Sequence, residues 1–340
     1  MNTVQLDLIH LAMTNRSLTK EQTYKLFTDV VNGEMDDIPL AALLSALKVR
    51  GETAEEIAGA AMALADNAVP FPSLDFDTID NCGTGGDGTN TINISTLCAI
   101  VAASMGLKMA KHGNRKVSSS TGSADVLSEL GVPLDMTPEV AKKCLVESNL
   151  TFLMAPHYHR GIKHAMPVRQ TLRTRTIFNA LGPLVNPAKA TTCIIGVYDP
   201  DLCRPMAESL KLLGKKRAWV VHGAGMDEIA VHDKTKVVQL IDGEISEFTV
   251  KPEDFGQIRY TVKDLVGGEP AHNASIIRQV LAGKGSPAHN AAVIINTAPL
   301  LLLTGRADSL LDAANQVKNA LASGQALTTL TNFVDIANKG

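Results

Sequence analysis

The 340-residue sequence lacks several features that mark whole classes of protein. Its five cysteines include no C-x-x-C pair and are odd in number, which argues against a zinc site and against a disulfide framework. The formal net charge is −3, so nucleic-acid binding is not expected. No apolar run reaches the length of a membrane span, and no basic start precedes a long apolar stretch. We therefore expect a cytoplasmic protein with reduced thiols, no membrane segment and no signal peptide.

Three catalytic signatures are also missing. The sequence contains no Gly-x-Ser-x-Gly elbow, no catalytic-cysteine pattern and no Gly-Lys-Ser/Thr ending to a glycine-rich loop. These absences argue against covalent serine or cysteine catalysis and against a P-loop nucleotide site. The length still allows two compact domains with a large core.

The most informative stretch is the glycine-rich segment 82–95. Gly83, Gly85, Gly86 and Gly88 lie between a predicted short strand and a predicted helix. Glycine allows backbone N–H groups to converge on a ligand, and a helix N-terminus adds the positive end of its dipole. The spacing fits G-x-G-x-x-G, but no acidic residue closes a following strand, so a dinucleotide site is disfavoured. The segment predicts a phosphate or diphosphate site, with a plain tight turn as the alternative.

A second polar cluster follows at residues 111–125. It combines three cations, Lys111, Arg115 and Lys116, with a run of serine and threonine hydroxyls. Cations and short hydroxyls together suit phosphate oxygens, which accept charge-assisted and neutral hydrogen bonds. A solvated serine-rich loop is the alternative interpretation.

The first 69 residues predict helices only. Thr19 and Thr53 each begin a capping box, and Asp37 is a candidate cap for a helix that ends before Gly51. Two prolines at 70–72 predict a domain boundary. Beyond them, strand-like runs alternate with helical spacing, and 237–250 with Asp-Gly at its centre predicts a hairpin. The expected fold class is α/β, with a mostly parallel central sheet.

Four motifs in order resemble the anthranilate phosphoribosyltransferase family of tryptophan biosynthesis. They are G-T-G-G-D at 83–87, K-H-G-N-R at 111–115, R-T-I-F-N-A-L-G-P-L-V-N-P at 175–187 and V-H-G-A-G-M-D-E at 221–228. The resemblance implies a nucleoside phosphorylase-like architecture with a cleft between two domains. It implies a helical domain of residues 1–70 with a returning segment near 165–190, and an α/β domain of residues 74–164 and 191–340.

The same resemblance implies the reaction. The amine of anthranilate attacks the ribose C1 of phosphoribosyl diphosphate, and diphosphate leaves. Mg²⁺, with two ions expected, and backbone donors take up the leaving charge. Positioning alone can supply much of the rate, which agrees with the absence of a covalent nucleophile.

Site residues carry over by position in the matching motifs. Phosphoribosyl diphosphate is expected at Gly83, Gly86, Asp87, Thr91, Asn93, Ile94, Ser95, Thr96, Lys111, His112, Gly113, Asn114, Arg115, Lys116, Val117, Ser118, Ser119 and Ser123. Anthranilate is expected at Gly83, Asn114 and Arg169, whose guanidinium suits a carboxylate. Metal is expected at Ser95, Asp227 and Glu228, oxygen ligands of the kind hard cations prefer. Arg115 is alternatively a residue that holds its loop.

The roles of four histidines and one arginine are open. His112 is a candidate proton acceptor, with a structural role as the alternative. His157, His159 and His164 have no regular ligand spacing and predict a loop at the mouth of the cleft. Arg173 departs from the family, in which many members have glycine before the R-T-x-F-N block.

Two other functional classes stay as alternatives. A pyrimidine nucleoside phosphorylase shares the implied fold but has a different phosphate loop, and a nucleic-acid-binding relative would be basic with eroded motifs. The resemblance also implies a homodimer through the helical domain. A separate glutamine amidotransferase or anthranilate synthase partner is a further candidate.

Overall fold

The structure is a computed structural model that describes residues 3–116 and 121–340. Its first region contains helices only, as the sequence predicts, and they are α1 Thr3–Met13, α2 Lys20–Asn32, α3 Asp37–Arg50 and α4 Ala54–Asp66. Both predicted capping boxes are confirmed, at Thr19 and Thr53. The predicted cap at Asp37 is wrong by one residue. Asp36 has the extended backbone of an N-cap, and Asp37 already lies in the first helical turn.

The four helices enclose a buried ion pair. Glu56 is fully buried and accepts hydrogen bonds from the backbone N–H groups of Leu18 at 2.8 Å and Thr53 at 2.9 Å. Its carboxylate also pairs with Arg50. All its close partners are therefore donors, which is the condition under which a buried charge is tolerated.

Seven strands form the central sheet of the larger region. They are β1 Ile79–Asn81, β2 Met109–Gly113, β3 Leu150–Met154, β4 Thr192–Gly196, β5 Arg217–His222, β6 Thr235–Ile241 and β7 Glu244–Val250. Their order is β3-β2-β1-β4-β5-β6-β7, and the first five are parallel. The last two pair as the predicted antiparallel hairpin, in which Asp242 and Gly243 take φ of 48° and 90°. The predicted α/β fold with a mostly parallel sheet is confirmed.

Helices cover both faces of the sheet. Those after β1 are α5 Ile94–Ser104, α6 Ser123–Glu129, α7 Pro138–Ser148, α8 Ala155–Tyr158, α9 Met166–Leu172, α10 Phe178–Leu181, α11 Cys203–Leu212, α12 Pro270–Leu281, α13 Pro287–Leu303, α14 Leu310–Ser323 and α15 Gln325–Lys339. Along β5, Trp219 and Val221 enter the core built with α5 and α13. Ala218 and Val220 enter the opposite core, with α11 and the first four helices. This alternation is the period-2 pattern of a strand buried on both faces.

Residues 160–185 pack against the first helical region. Val168 and Ile177 share one buried core with Leu43 of α3, and the rings of Phe27 and Phe178 lie 5.5 Å apart. The same core continues into β4 and α11. The domain limits given above therefore stay a prediction about which segments form a unit.

Candidate active site

The predicted site segments meet at one edge of the sheet. The glycine-rich segment follows β1, the second polar cluster begins within β2, and the D-E motif follows β5. All these strands are parallel, so their carboxyl ends lie at the same edge. The strand order reverses between β1 and β4, and open α/β sheets bind their ligands at such a switch point.

The glycine-rich loop requires its glycines. Gly85, Gly86 and Gly88 take positive φ of 69°, 82° and 78°, a region that other residues rarely adopt. A Cβ on Gly83 would lie 2.5 Å from Oδ2 of Asp227. That same oxygen accepts a 2.7 Å hydrogen bond from the backbone N–H of Gly85. The loop is therefore packed directly against a carboxylate of the D-E motif.

The acidic side chains of the site face one another. Asp87 accepts hydrogen bonds from the backbone N–H and hydroxyl of Thr89, and from the backbone N–H of Asp227 at 3.3 Å. Burial, followed by the charge of Asp87, raises the pKa of Asp227. Burial, followed by the charge of Asp227, raises the pKa of Glu228, while the backbone N–H of Ser95 lowers it. Negative charge is therefore crowded at the N-terminus of α5.

This donor set fits Mg²⁺. Among residues 3–116 and 121–340, no three acidic, histidine or cysteine side chains converge in a way that would hold a metal by themselves. Mg²⁺ commonly uses one or two carboxylates and completes its shell with waters and substrate phosphates. Asp227 and Glu228 supply carboxylate oxygens, and the hydroxyl of Ser95 lies at the start of the same α5. A divalent cation here would also relieve the crowding of carboxylates.

Lys111 places a buried positive charge behind the loop. Its side chain is 3% exposed, and Nζ donates to the carbonyl of Asn81 at 2.9 Å and to the hydroxyl of Ser95 at 3.1 Å. Ser95 thus connects the lysine of one motif to the helix that follows the other. Asn93, the N-cap of α5, accepts from the amide of Asn273 at 2.9 Å and donates to the carbonyl of Thr121.

Contacts with Asp80 explain why an asparagine occupies position 186, near the end of the motif at 175–187. It is 2% exposed and accepts from the amide of Asn186 at 2.7 Å and from the backbone N–H of His112 at 3.2 Å. Asn186 also donates to the carbonyl of Ala110 at 2.7 Å. Burial raises the pKa of Asp80, and Lys111 opposes the shift. These contacts fix β1 and β2 at their active-site ends.

Asp125 organises the second loop. Its carboxylate accepts from the backbone N–H groups of Lys116 at 2.8 Å and Gly122 at 3.0 Å, and pairs with Arg115 at 3.2 Å. The carbonyl of Asn114 accepts from the hydroxyl of Ser123. Arg115 therefore holds the loop in this structure, which was the alternative to its predicted phosphate contact. The predicted residues Val117, Ser118 and Ser119 lie outside the described residues.

The predicted residues Ile94 and Thr96 have buried side chains. The side chain of Ile94 is 2% exposed and belongs to the core. The hydroxyl of Thr96 is buried and has no hydrogen-bond partner among the residues described, and Thr96 lines an internal cavity of about 10 Å³. Thr91 forms an isolated bridge with Val266. At Gly113, a Cβ would lie 2.3 Å from the hydroxyl of Ser123 and 2.8 Å from the ring of Phe152, so a side chain there would crowd both.

Arg169 lies on α9 with its charge available. Its guanidinium is 5.2 Å from the ring centre of Phe178, and within the described residues no acidic side chain pairs with it. Burial lowers its pKa. Arg173 ends the same helix in the left-handed conformation, with φ of 48° and ψ of 32°. A glycine at this position, as the resemblance implies, would adopt this conformation without strain.

His112 and His159 form a buried pair, which corrects the prediction that His159 lies in a loop at the mouth of the cleft, whereas His157 and His164 are exposed. His159 is 3% exposed at the junction of α8 and a short 3₁₀ helix, and its ring meets that of His112 edge to face at 5.3 Å. Nδ1 of His112 lies 3.0 Å from the carbonyl of Gly182 and donates to it, so Nε2 is the free acceptor. Burial lowers the pKa of each ring to about 4. Both rings are neutral at pH 7.

Sequence reasoning missed the role of Arg175. Its guanidinium donates to the carbonyl of Gly86 and lies 4.0 Å from the ring centre of Tyr198. The backbone N–H of Tyr198 in turn donates to the hydroxyl of Thr84 at 3.1 Å. Arg175 thus ties the segment that packs on the helical region to the glycine-rich loop. Its place at the head of the R-T-x-F-N block was the available signal.

Comparisons with known proteins agree on one family. Residues 75–327 match the glycosyl transferase family, a/b domain, and residues 6–68 match its helical bundle domain. The anthranilate phosphoribosyltransferase of Aeromonas salmonicida is 56% identical over 95% of this chain and 96% of the relative. That of Pseudoalteromonas translucida is 52% identical over 97% and 93%.

Solved structures give the same result. The anthranilate phosphoribosyltransferase of Thermus thermophilus superposes with a TM-score of 0.93 at 37% identity, over 98% of this chain and 99% of that one. The Saccharomyces cerevisiae enzyme in complex with PRPP and Mg gives a TM-score of 0.90 at 27% identity, over 100% and 99%. Among the described residues of the present chain, every helix is too short or too polar to cross a bilayer.

Proposed function

The chain belongs to the anthranilate phosphoribosyltransferase family, and from this premise we propose how its own residues carry the reaction. The enzyme transfers the 5-phosphoribosyl group of phosphoribosyl diphosphate to the amine of anthranilate and releases diphosphate, the second step of tryptophan biosynthesis from chorismate. Neither a nucleoside phosphorylase nor a nucleic-acid-binding relative is favoured.

One observation carries the assignment of the diphosphate end. A glycine-rich loop and a helix N-terminus, both of which favour anions, lie against the carboxylates of Asp227 and Glu228. These carboxylates carry the same negative charge as the expected ligand. A diphosphate and a carboxylate can share this space only with a cation between them. We therefore assign Asp227, Glu228 and Ser95 to Mg²⁺, and the loop from Gly83 to Asp87 to the diphosphate.

Bound Mg²⁺ would neutralise charge on the departing diphosphate. The chain's part is to hold that group with backbone N–H donors of the loop and of the first turn of α5, and with the nearby charge of Lys111. We propose two ions, because Asp87, Asp227 and Glu228 together bring three negative charges to one site. The structural contacts of Asp80 and Asn186 keep β1 and β2 in place behind it.

We assign the anthranilate carboxylate to Arg169. The guanidinium has no acidic partner within the described residues, and the ring of Phe178 lies beneath it. We assign Asn114 and Gly83 to anthranilate as well, from their positions in the K-H-G-N-R and G-T-G-G-D motifs. With a pKa of about 4, His112 is a weak base at neutral pH, so we assign it to orienting its loop through Asp80 and Gly182.

The assignment is tested by the disappearance of anthranilate fluorescence with phosphoribosyl diphosphate and Mg²⁺. We expect turnover that requires all three components, and its absence in folded protein would refute the function. In Arg169→Gln the KM for anthranilate should rise about tenfold or more, while the KM for phosphoribosyl diphosphate stays near its original value. Arg160→Gln, an exposed arginine of the same segment, is the matched control and should change neither.

We also propose a homodimer through the first helical region. Val4 and Met13 on α1, and Ile38 and Val49 on α3, are 47%, 59%, 84% and 88% exposed. Apolar side chains this exposed on two neighbouring helices are typical of an interface. Sedimentation of the native chain and of Ile38→Lys/Val49→Lys tests this, since the variant should become monomeric. The amidotransferase partner and the cytoplasmic location rest on the family alone.

A further inference from the structure

The sheet has a second opening at its other edge. A cleft of about 570 Å³ lies at the amino ends of the parallel strands, opposite the candidate active site. Ile79 at the start of β1, Thr192 at the start of β4 and Arg217 at the start of β5 line it. Its volume is within the range of pockets that hold small organic molecules.

Four cations surround this cleft. They are Lys108, Lys216, Arg217 and Arg306, and only two acidic residues accompany them, Asp77 and Asp242. The local charge is therefore positive in a chain whose net charge is −3. A concave surface lined by one sign of charge concentrates ligands of the opposite sign.

The cations keep unused hydrogen-bonding capacity. Arg306 donates to the carbonyls of Met105 at 2.7 Å and Gly106 at 3.0 Å, and Arg217 donates to that of Leu303 at 2.9 Å. Each guanidinium has five N–H donors, so these bonds hold the groups in place and leave donors free. The ion pairs that Lys216 and Arg217 form with acidic residues are weak. Lys216 pairs with Asp77 at 3.3 Å and Arg217 with Asp242 at 3.8 Å, and both pairs are open to solvent.

The arrangement separates the cations into two groups. Lys108 and Arg306 lie beside the entry to β2, and Lys216 and Arg217 lie at the entry to β5. In the sheet order, β1 and β4 lie between β2 and β5, which places these entries about 14 Å apart at the usual spacing of strands. Between them, the floor consists of the buried side chains of Ile79, Leu107 and Leu303.

We propose that this cleft binds a small organic dianion, namely two carboxylates joined by an apolar ring or chain. Each carboxylate meets one cation group, and the apolar body covers the floor. The site is distinct from the transferase site and does not depend on that function.

Isophthalate, a rigid aromatic dicarboxylate, is a direct probe. Isothermal titration of the full chain should show saturable one-to-one binding that weakens as salt is raised and that benzoate reproduces only weakly. Phosphoribosyl diphosphate with Mg²⁺ should not displace it. Displacement, or equally tight binding of inorganic phosphate, would overturn the proposal, and so would the absence of saturable binding.

Matched variants locate the ligand. Lys108→Gln/Lys216→Gln should weaken isophthalate binding about tenfold, since each lost charge-assisted contact costs a few-fold. Lys25→Gln/Lys318→Gln removes the same charge from exposed positions elsewhere and should leave binding unchanged. Because Lys108 also contacts the carbonyl of Val146, the single variant Lys216→Gln provides a version with little risk to folding. Equal affinity in all these variants would refute the site.

Discussion

The first helical region and the active-site edge of the sheet treat buried carboxylates in opposite ways. Among α1–α4, Glu56 is surrounded by donors: two backbone N–H groups and Arg50. At the sheet edge, Asp227 and Glu228 face each other and Asp87, and the pKa values of both are raised. The first arrangement is complete in itself. The second is complete only when a ligand joins it, and such departures from self-consistency are expected at functional sites.

Among the substitutions that test this comparison, Asp227→Asn has the largest expected effect. Turnover should fall about a thousand-fold, because an amide cannot replace the carboxylate at the cation on which the leaving charge depends. The free energy of unfolding without ligand should stay equal or increase, since one of several crowded like charges is removed. Steady-state kinetics with Mg²⁺ and urea unfolding of the apo protein measure the two effects.

A marked loss of stability in Asp227→Asn would contradict the comparison, because it would show the carboxylate to be a structural element like Glu56. Asp233→Asn is the matched control. Asp233 is an exposed aspartate a few residues further along the chain, paired with Arg259, and its change should affect neither quantity strongly.

The buried pair of His112 and His159 should contribute less to the free energy of unfolding as the pH falls. The pKa of His112 and of His159 is about 4 in the fold, below the ordinary 6.5, so the unfolded chain binds protons first as pH falls. The stability that the two rings contribute is therefore complete above pH 6.5 and is lost between 6.5 and 4, by about 2 kcal/mol per ring at pH 5. The raised pKa values of Asp227 and Glu228 act in the opposite direction, so the ring contribution is measured as the difference between the native chain and a histidine variant. Asp80 accepts a hydrogen bond from the backbone N–H of His112, and Lys111, whose charge also lowers the pKa of His112, donates to Asn81 and Ser95.

Urea unfolding from pH 7.5 to pH 4.5 measures this decline. In His159→Gln, the contribution of one ring to the pH dependence of the free energy of unfolding should disappear, because the glutamine does not titrate. His10→Gln, at an exposed position on α1, should leave it unchanged. A slope that is the same in all three proteins would show that other groups dominate the acid response.

The next smaller effect concerns Glu56 itself. Glu56→Gln should lower the free energy of unfolding by about 2 kcal/mol, because Arg50 and the two N–H donors lose the charge that they surround. The kcat of the folded enzyme should stay near its original value, the reverse of the result expected at Asp227. Glu21→Gln, at an exposed position on α2, is the control for stability. If kcat fell by more than the loss of folded protein explains, Glu56 would have a role in catalysis, and the difference between the two regions would be contradicted.

The same two regions show how far sequence reasoning reached. The capping boxes at Thr19 and Thr53 and the hairpin at Asp242 depend on neighbouring residues, so local patterns identified them. The glycine-rich loop was found because strand, loop and helix are consecutive. The contact between Arg175 and Gly86 joins residues far apart in the chain, and the burial of His159 depends on His112 and the returning segment. No local pattern contains such information, and the cationic cleft required the strand order.

The smallest expected effect concerns the strained backbone at the end of α9. Arg173 is in the left-handed region that favours glycine, and Gly51 ends α3 at φ of 88° with no atom near the position of a Cβ. Arg173→Gly should raise the free energy of unfolding by about 0.5 kcal/mol, because the relieved backbone strain exceeds the added entropy of the unfolded chain. Gly51→Ala should lower it by about 1 kcal/mol or more, because the alanine acquires the strain that Arg173 loses.

Urea unfolding of the two variants compares them, and kinetics separates conformation from charge. If Arg173 affects only the end of α9, the KM for anthranilate should change by less than about twofold in Arg173→Gly. A larger increase, reproduced by Arg173→Gln, would mean that the guanidinium itself attracts anthranilate beside Arg169. In that case the departure from glycine would be a feature of the site, and its backbone strain would be retained for function.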